Sequence, residues 1–216
     1  MKINANYAER VVLATEAMQW VPSPMAGVDR KMLDRVGDEV ARATSLVRYA
    51  PESHFSAHTH GGGEEFLVLE GTFSDQFDDY PAGTYVRNPP GSQHSPHSLS
   101  GCVIFVKLWQ FSATDSSHVV VRSDREPFSA GSVPGLTVLP LHVYGDERIS
   151  MLRMAPATAG VAVGTGQGEE ILVLQGTLQD EQGSYPKGTW IRSPRGHYST
   201  LSSAEGCQVL LRTGHL

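Results

Sequence analysis

The stretch HTHGGGEEFLVLEG, residues 58–71, comes back in altered form as VGTGQGEEILVLQG at residues 163–176. Working outward from this pair, the chain reads as one unit written twice. At an offset of 105, Ala50-Pro51 falls on Ala155-Pro156, Glu64-Glu65 on Glu169-Glu170, YPAGTYVRNPPG on YPKGTWIRSPRG and Gly101-Cys102 on Gly206-Cys207. Upstream the offset is 108, which pairs Val11 with Val119, Trp20 with Phe128, Gly27 with Gly135 and Gly37 with Gly145. The second copy therefore lacks three residues near positions 40–44. A register that persists over mixed polar and apolar sequence marks an internal duplication, which has to be recognised before local signals are read. The expected organisation is a first lobe at residues 1–112 and a second at residues 113–216, meeting at the polar FSATDSS.

Within each copy the signals are those of strands. VLATE, SLVRYAP, EEFLVLEG, TYVRNPP and CVIFVKLWQF are short runs rich in β-branched and aromatic residues, bounded by Gly, Pro, Asp and Ser. Only LDRVGDEVARA has a helical look, and its glycine and its place before a strand argue against that. Many short strands with regular turns predict an all-β sandwich or barrel. On one strand Glu64, Phe66, Val68 and Glu70 share a face, and Glu65, Leu67 and Leu69 share the other. A strand apolar on both faces is usually covered on both. The expectation is tight lobe–lobe packing or a homo-oligomer, through Leu67, Leu69, Leu172 and Leu174.

Bulk properties exclude several classes. A formal net charge of -6 and a pI near 5.8 provide no basic surface for phosphate, so no nucleic-acid partner is expected. The start, MKINANYAERVVLATEAMQW, lacks a signal pattern, and no apolar run reaches the roughly 18 residues of a membrane span, so no membrane and a cytoplasmic location are expected. Cys102 and Cys207 occupy matching places and form no CxxC pair; they read as small core residues, with a redox-sensing thiol as the alternative.

The chemistry sits in the first copy. His58 and His60 are two apart, so on a strand both imidazoles point to one side, and Gly61-Gly62-Gly63 lets the chain turn to offer Glu64. His94 follows the turn-rich NPPGSQ, which can bring a fourth donor to the same interior. Imidazole nitrogen and carboxylate oxygen suit zinc, iron, manganese, nickel or copper. The second copy is an internal control, with Val163, Thr165 and Ser199 where the first has His58, His60 and His94, while Glu169 keeps the place of Glu64. His197 beside Glu169 is too little for a second metal site. Features present in both copies, Arg87 and Arg192 or Tyr80 and Tyr185, read as structural. His54 shares strand parity with the ligands and could stand at the pocket mouth; His97, His118, His142 and His215 read as ordinary surface or core residues. Phe66, Val68, Phe73 and Tyr85 are candidate pocket walls.

HTHGGGEEFLVLEG resembles the first cupin motif, HxHxxxE before a strand ending in Gly, and YPAGTYVRNPPGSQH resembles the second, PxG followed by a further His. The phrases ARATSLVRYAP, EEFLVLEGTFSD, GTYVRNPPGS and GCVIFVKLWQF further resemble the cupin-like domain of ChrR-type anti-sigma factors. The resemblance implies a bicupin: tandem double-stranded β-helix (jelly-roll) barrels, with one divalent transition metal, zinc or Fe(II) ahead of manganese or nickel, on His58, His60, Glu64 and His94. It implies a regulatory or sensory module in oxidative-stress transcription control, without the helical sigma-binding domain. The partners it implies are a sigma factor or other regulatory protein and a small-molecule ligand in either barrel. Related cupins that cleave diketones or hydroxyacetophenones with iron imply the alternative, a non-haem Fe(II) dioxygenase.

Overall fold

The computed structural model of the chain describes every residue except Glu39, Gly164 and Thr165. Two compact units form, one from Met1–Ala5 with Met18–Arg125 and one from Asn6–Ala17 with Glu126–Leu216. Each is an antiparallel jelly roll. In the first, neighbouring strands run Lys2–Ile3, Val28–Gly37, Ala41–Tyr49, Cys102–Leu108, Glu64–Ser74, Thr84–Asn88 and Val119–Arg122. In the second the same order is Ser129–Ala130, Leu136–Tyr144, Glu147–Met154, Cys207–Thr213, Gln167–Asp180, Thr189–Arg195 and Val11–Ala14. The last strand of each sheet is the leading strand of the other sequence copy. Val119–Arg122 pairs with Thr84–Asn88, and Val11–Ala14 pairs with Thr189–Arg195.

Of the segment LDRVGDEVARA, residues 33–37 lie in the strand Val28–Gly37 and residues 41–43 in the strand Ala41–Tyr49, and these two strands pair. The corresponding hairpin of the second copy closes on Gly145-Asp146 between paired Tyr144 and Glu147. The three-residue difference between the copies falls between these paired strands, where a length change leaves the ladders intact.

A bulge sets which residues face inward. Glu70 pairs with Val103 and Val68 with Ile104, so Leu69 is the extra residue; in the second copy Leu174 is extra between Val173 and Gln175. One inserted residue reverses the alternation beyond it. Phe73 therefore joins Phe66 and Val68 in the first core, and Leu178 joins Ile171 and Val173 in the second. Gly71 and Gly176 follow the bulges at φ +69° and +68°, where a Cβ would stand 2.1 Å from the Gly101 or Gly206 carbonyl oxygen. The glycine that ends each copy of the opening stretch is thus required sterically.

The first core gathers Val28, Val47, Tyr49, Phe66, Val68, Phe73, Tyr80, Val86, Cys102, Ile104 and Val106. Burying each large apolar side chain contributes roughly 1.5–3 kcal/mol. Tyr85, expected as a pocket wall, is instead paired with Leu67, while Val86 is paired with Phe66. Directly opposed residues share a face, so Val86 takes the interior place and Tyr85 stands on the opposite side of the strand. Leu67 and Leu172 are buried, and Leu69 and Leu174 half-buried. Among the described residues no helix is long and apolar enough to cross a membrane.

Candidate metal centre

The four donors of the first copy come together. His58 lies in the two-residue strand His58–Thr59 and stands opposite His94 of Gln93–His94. The His60 amide donates to the Ser92 carbonyl at 3.0 Å, and its own carbonyl accepts from the Gly91 amide at 2.8 Å. The NPPGSQ turn is thereby stitched to the His60 backbone. Gly63, at φ +77°, then turns the chain into the strand Glu64–Ser74, which opens with Glu64. One donor atom from each of His58, His60, Glu64 and His94 lies within 4.8 Å of every other. His60 Nε2 and His94 Nε2 are each 3.4 Å from Glu64 Oε2. Neighbouring ligands on one ion with bonds of about 2.0–2.2 Å stand about 3–3.5 Å apart, so the spacing fits a shared cation.

The hydrogen bonds around the cluster aim its nitrogens inward. His94 Nδ1 is 3.2 Å from Asp75 Oδ2, and His58 Nδ1 is 2.9 Å from the Ser56 carbonyl. A carbonyl only accepts, so the His58 proton sits on Nδ1. Burial pushes the Asp75 carboxyl up, but hydrogen bonds from His94 and from the Phe77 and Asp78 amides outweigh it and hold the group below its ordinary range. Ionised, Asp75 accepts a hydrogen bond from the Nδ1–H of His94, which leaves the Nε2 lone pair facing the cluster. Burial also depresses His60, with Glu64 opposing and the His94 and His58 imidazoles adding to the shift, so the neutral, ligating form is favoured. His60 Nε2 and His94 Nε2 are buried without a hydrogen-bond partner. Two orphaned nitrogens facing a buried carboxylate are the arrangement that a metal cation satisfies.

The supporting residues were harder to read from sequence. Asn88 Nδ2 donates to Glu64 Oε2 at 3.2 Å, and its counterpart in the second copy is Ser193, so the difference between copies was a usable signal. Asp75 gave none, because the second copy has Asp180 at its place. There the aspartate pairs with Arg10 at 2.6 Å and accepts from the Tyr185 hydroxyl at 2.7 Å.

In the second lobe Ser199 donates to Glu169 at 2.8 Å, and His197 Nε2 is 3.6 Å from the same carboxylate. Val163 is half-buried, and Thr165 lies outside the described residues. Among the described residues the only group of three or more candidate ligands is that of the first lobe. His54 and His97 stack on each other across a strand pair at 5.7 Å, apart from the ligand group. His118, His142 and His215 also stand outside it; His215 Nε2 is 3.2 Å from Glu170. Arg87 is fully buried, paired with Glu65 and, at 2.6 Å, with Asp115. Cys102 and Cys207 are free and buried.

No curated protein matches the chain. Among solved structures, a candidate dioxygenase from Nostoc punctiforme superposes with a TM-score of 0.76 at 13% identity, over 95% of this chain and 82% of that one. The bacterial pirin YhhW from Escherichia coli, in complex with nickel(II), gives 0.70 at 13% identity over 94% and 98%. A salicylate 1,2-dioxygenase from Pseudaminobacter salicylatoxidans gives 0.61 at 13% identity over 79% and 70%. At these identities the likeness is one of fold. The profile of the ChrR Cupin-like domain matches residues 8–112 and again residues 116–216. Matched twice and over nearly all its length, the chain belongs to the ChrR Cupin-like domain family.

Proposed function

We propose that the first lobe holds one divalent transition metal, zinc or Fe(II), on His58, His60, Glu64 and His94, and that the chain is a regulatory or sensory module of an oxidative-stress response. One observation carries the sensory reading. The ligand-bearing segments of the first lobe are tied down by four strands of two residues each: Ser53–His54, His58–Thr59, Gln93–His94 and His97–Ser98. The matching segments of the lobe without the histidines are the six-residue Thr158–Val163 and the five-residue Ser199–Ser203, paired with each other across a register shift between Thr158 and Val161. Each lobe joins these segments through four residue pairs, but in the first lobe the pairs are split between two short ladders, and a cation held by His58, His60, Glu64 and His94 would tie those segments to the strand Glu64–Ser74. Metal occupancy and local order are then linked, since a ligand that binds only the ordered form stabilises it. A sigma factor or other regulatory protein is the partner such a module would act on, and a small molecule in either barrel could bias it.

The second reading is a non-haem Fe(II) dioxygenase acting on a diketone or hydroxyacetophenone-like substrate. It is favoured by the donor set, since three imidazoles and one carboxylate on a six-coordinate metal leave about two positions for oxygen and a chelating substrate. The folds of a salicylate dioxygenase and of a nickel-bound pirin are in keeping with it. Elemental analysis of anaerobically purified protein, followed by oxygen uptake on adding a diketone, separates the two. The sensory reading expects one metal per chain and no substrate-dependent uptake. Iron with stoichiometric oxygen consumption would replace it with the enzyme.

A further inference from the structure

Trp109 has a backbone that a tryptophan rarely adopts. Its φ is +58°, in the left-handed region that favours glycine. The second copy has Gly214 at the same place, at φ +79°. The backbone hydrogen bond is the same in both: the Trp109 amide donates to the Gly63 carbonyl at 3.1 Å, and the Gly214 amide to the Gly168 carbonyl at 3.2 Å. One local geometry is thus occupied by glycine in the lobe without the histidines and by a strained bulky residue in the lobe with them. Strain of this kind persists where surrounding structure enforces it, and it gathers at functional sites.

The indole lies against the turn between two ligands. A Cβ built on Gly62 would stand 2.3 Å from Trp109 Cδ2, and one on Gly61 would stand 3.0 Å from Cζ2. The three atoms nearest to that Gly62 position all belong to the indole. Gly62 has no positive φ, so its glycine is required by the ring and not by its own backbone. In the second copy, where Gly214 replaces the tryptophan, Gln167 carries a full side chain at the place of Gly62. The neighbouring contact is kept in kind, since Phe111 covers Gly63 as Leu216 covers Gly168. Between the lobes, then, the Trp109–Gly62 pair is exchanged as a unit. Trp109 is 46% exposed, so burial alone gives little reason to bear the strained backbone.

We propose that Trp109 is a positioning residue for the metal centre: its indole clamps the Gly61-Gly62 backbone and so fixes His60 and Glu64, the two ligands that flank the turn. This rests on the reading that those residues hold metal.

The test is a double-mutant cycle on the full chain with Trp109→Gly, Gly62→Ala and both together, with Trp109→Phe as the conservative variant. Cobalt(II)-loaded protein is challenged with a chelator, and the release rate and the visible absorption bands of the bound ion are recorded. Each single change is expected to speed release about tenfold, in the range seen when the support of a ligand is lost. The double variant should be no faster than Trp109→Gly alone, because removing the ring removes all three atoms nearest to an alanine Cβ at position 62. Trp109→Phe should restore the bands and most of the slow release. In the metal-free chain, amide exchange at residues 61–63 should quicken in Trp109→Gly while the melting temperature stays close to that of the wild type. Unchanged release and spectra in Trp109→Gly, or effects that simply multiply in the double variant, would overturn the clamp while leaving the metal centre standing. A wild-type chain that takes up no metal would overturn the centre itself and the clamp's role with it.

Discussion

At the scale of single residues, His94 is held by a carboxylate that touches no other donor of the cluster. Asp75 accepts a hydrogen bond from its Nδ1–H at 3.2 Å, and Asp75→Asn would remove the charge that sets the tautomer. Such outer hydrogen bonds are worth about 10–100-fold in metal affinity, and a loss of that size is expected in a competition titration against a chelator, with the fold unchanged by circular dichroism. The two cysteines behave otherwise. Burial raises both thiols, against a weaker lowering by the Ser98 and Ser203 hydroxyls, and Cys102 reaches about 11. At a pH of about 8 the Cys102 thiolate fraction is then about a thousandth. Alkylation of the native chain should be slow, climb as the pH approaches that value and become fast on unfolding; rapid modification of the folded protein at neutral pH would revive a redox-sensing thiol. The four candidate ligands were legible because an i, i+2 histidine pair, a nearby glutamate and a later histidine form a motif that the second copy lacks. Asp75 was not, since its twin hid it, and neither was Trp109, whose role lies in a backbone angle that the residue type argues against.

The secondary-structure elements show why the lobes differ. In the first lobe His58–Thr59 pairs with Gln93–His94 and Ser53–His54 with His97–Ser98, each over two residues. Short ladders that are separate from each other open one at a time and at low cost. Removing the metal should therefore speed amide exchange in residues 53–63 and 92–98 and leave Thr158–Val163 and Ser199–Ser203 as they were, a pattern that hydrogen-exchange mass spectrometry resolves. Equal protection of the first-lobe segments with and without metal would remove the basis for the sensory reading. Strand positions were legible from β-branched and aromatic runs bounded by turn residues. The bulge at Leu69 was not, because period-two reasoning assumes an unbroken ladder, and only pairing with Val103 and Ile104 shows that Phe73 faces inward.

For the whole molecule, the two sequence copies are not two self-contained folds. The edge of the first sheet is completed by Val119–Arg122 and the edge of the second by Val11–Ala14. Residues 1–112 made alone would keep Val11–Ala14 without its partner strand and leave Thr84–Asn88 with an uncovered edge, which invites aggregation. The same holds for residues 113–216. Either half alone is expected to be insoluble or poorly folded, and co-expression of the two to yield a soluble complex that elutes with the full chain. A stable, monomeric, metal-binding fragment of residues 1–112 would contradict this.

The sequence by itself determined the duplication, the all-β class and the four donors with their loss in the second copy, because repeat register, residue type and short-range spacing are local properties of the chain. Only the tertiary structure decided which leading strand completes which sheet, where the bulges reverse the inward face, and that Asp75, Asn88 and Trp109 gather around the ligands. Those outcomes depend on hydrogen-bond register and contact between segments distant in sequence, and no local pattern encodes them.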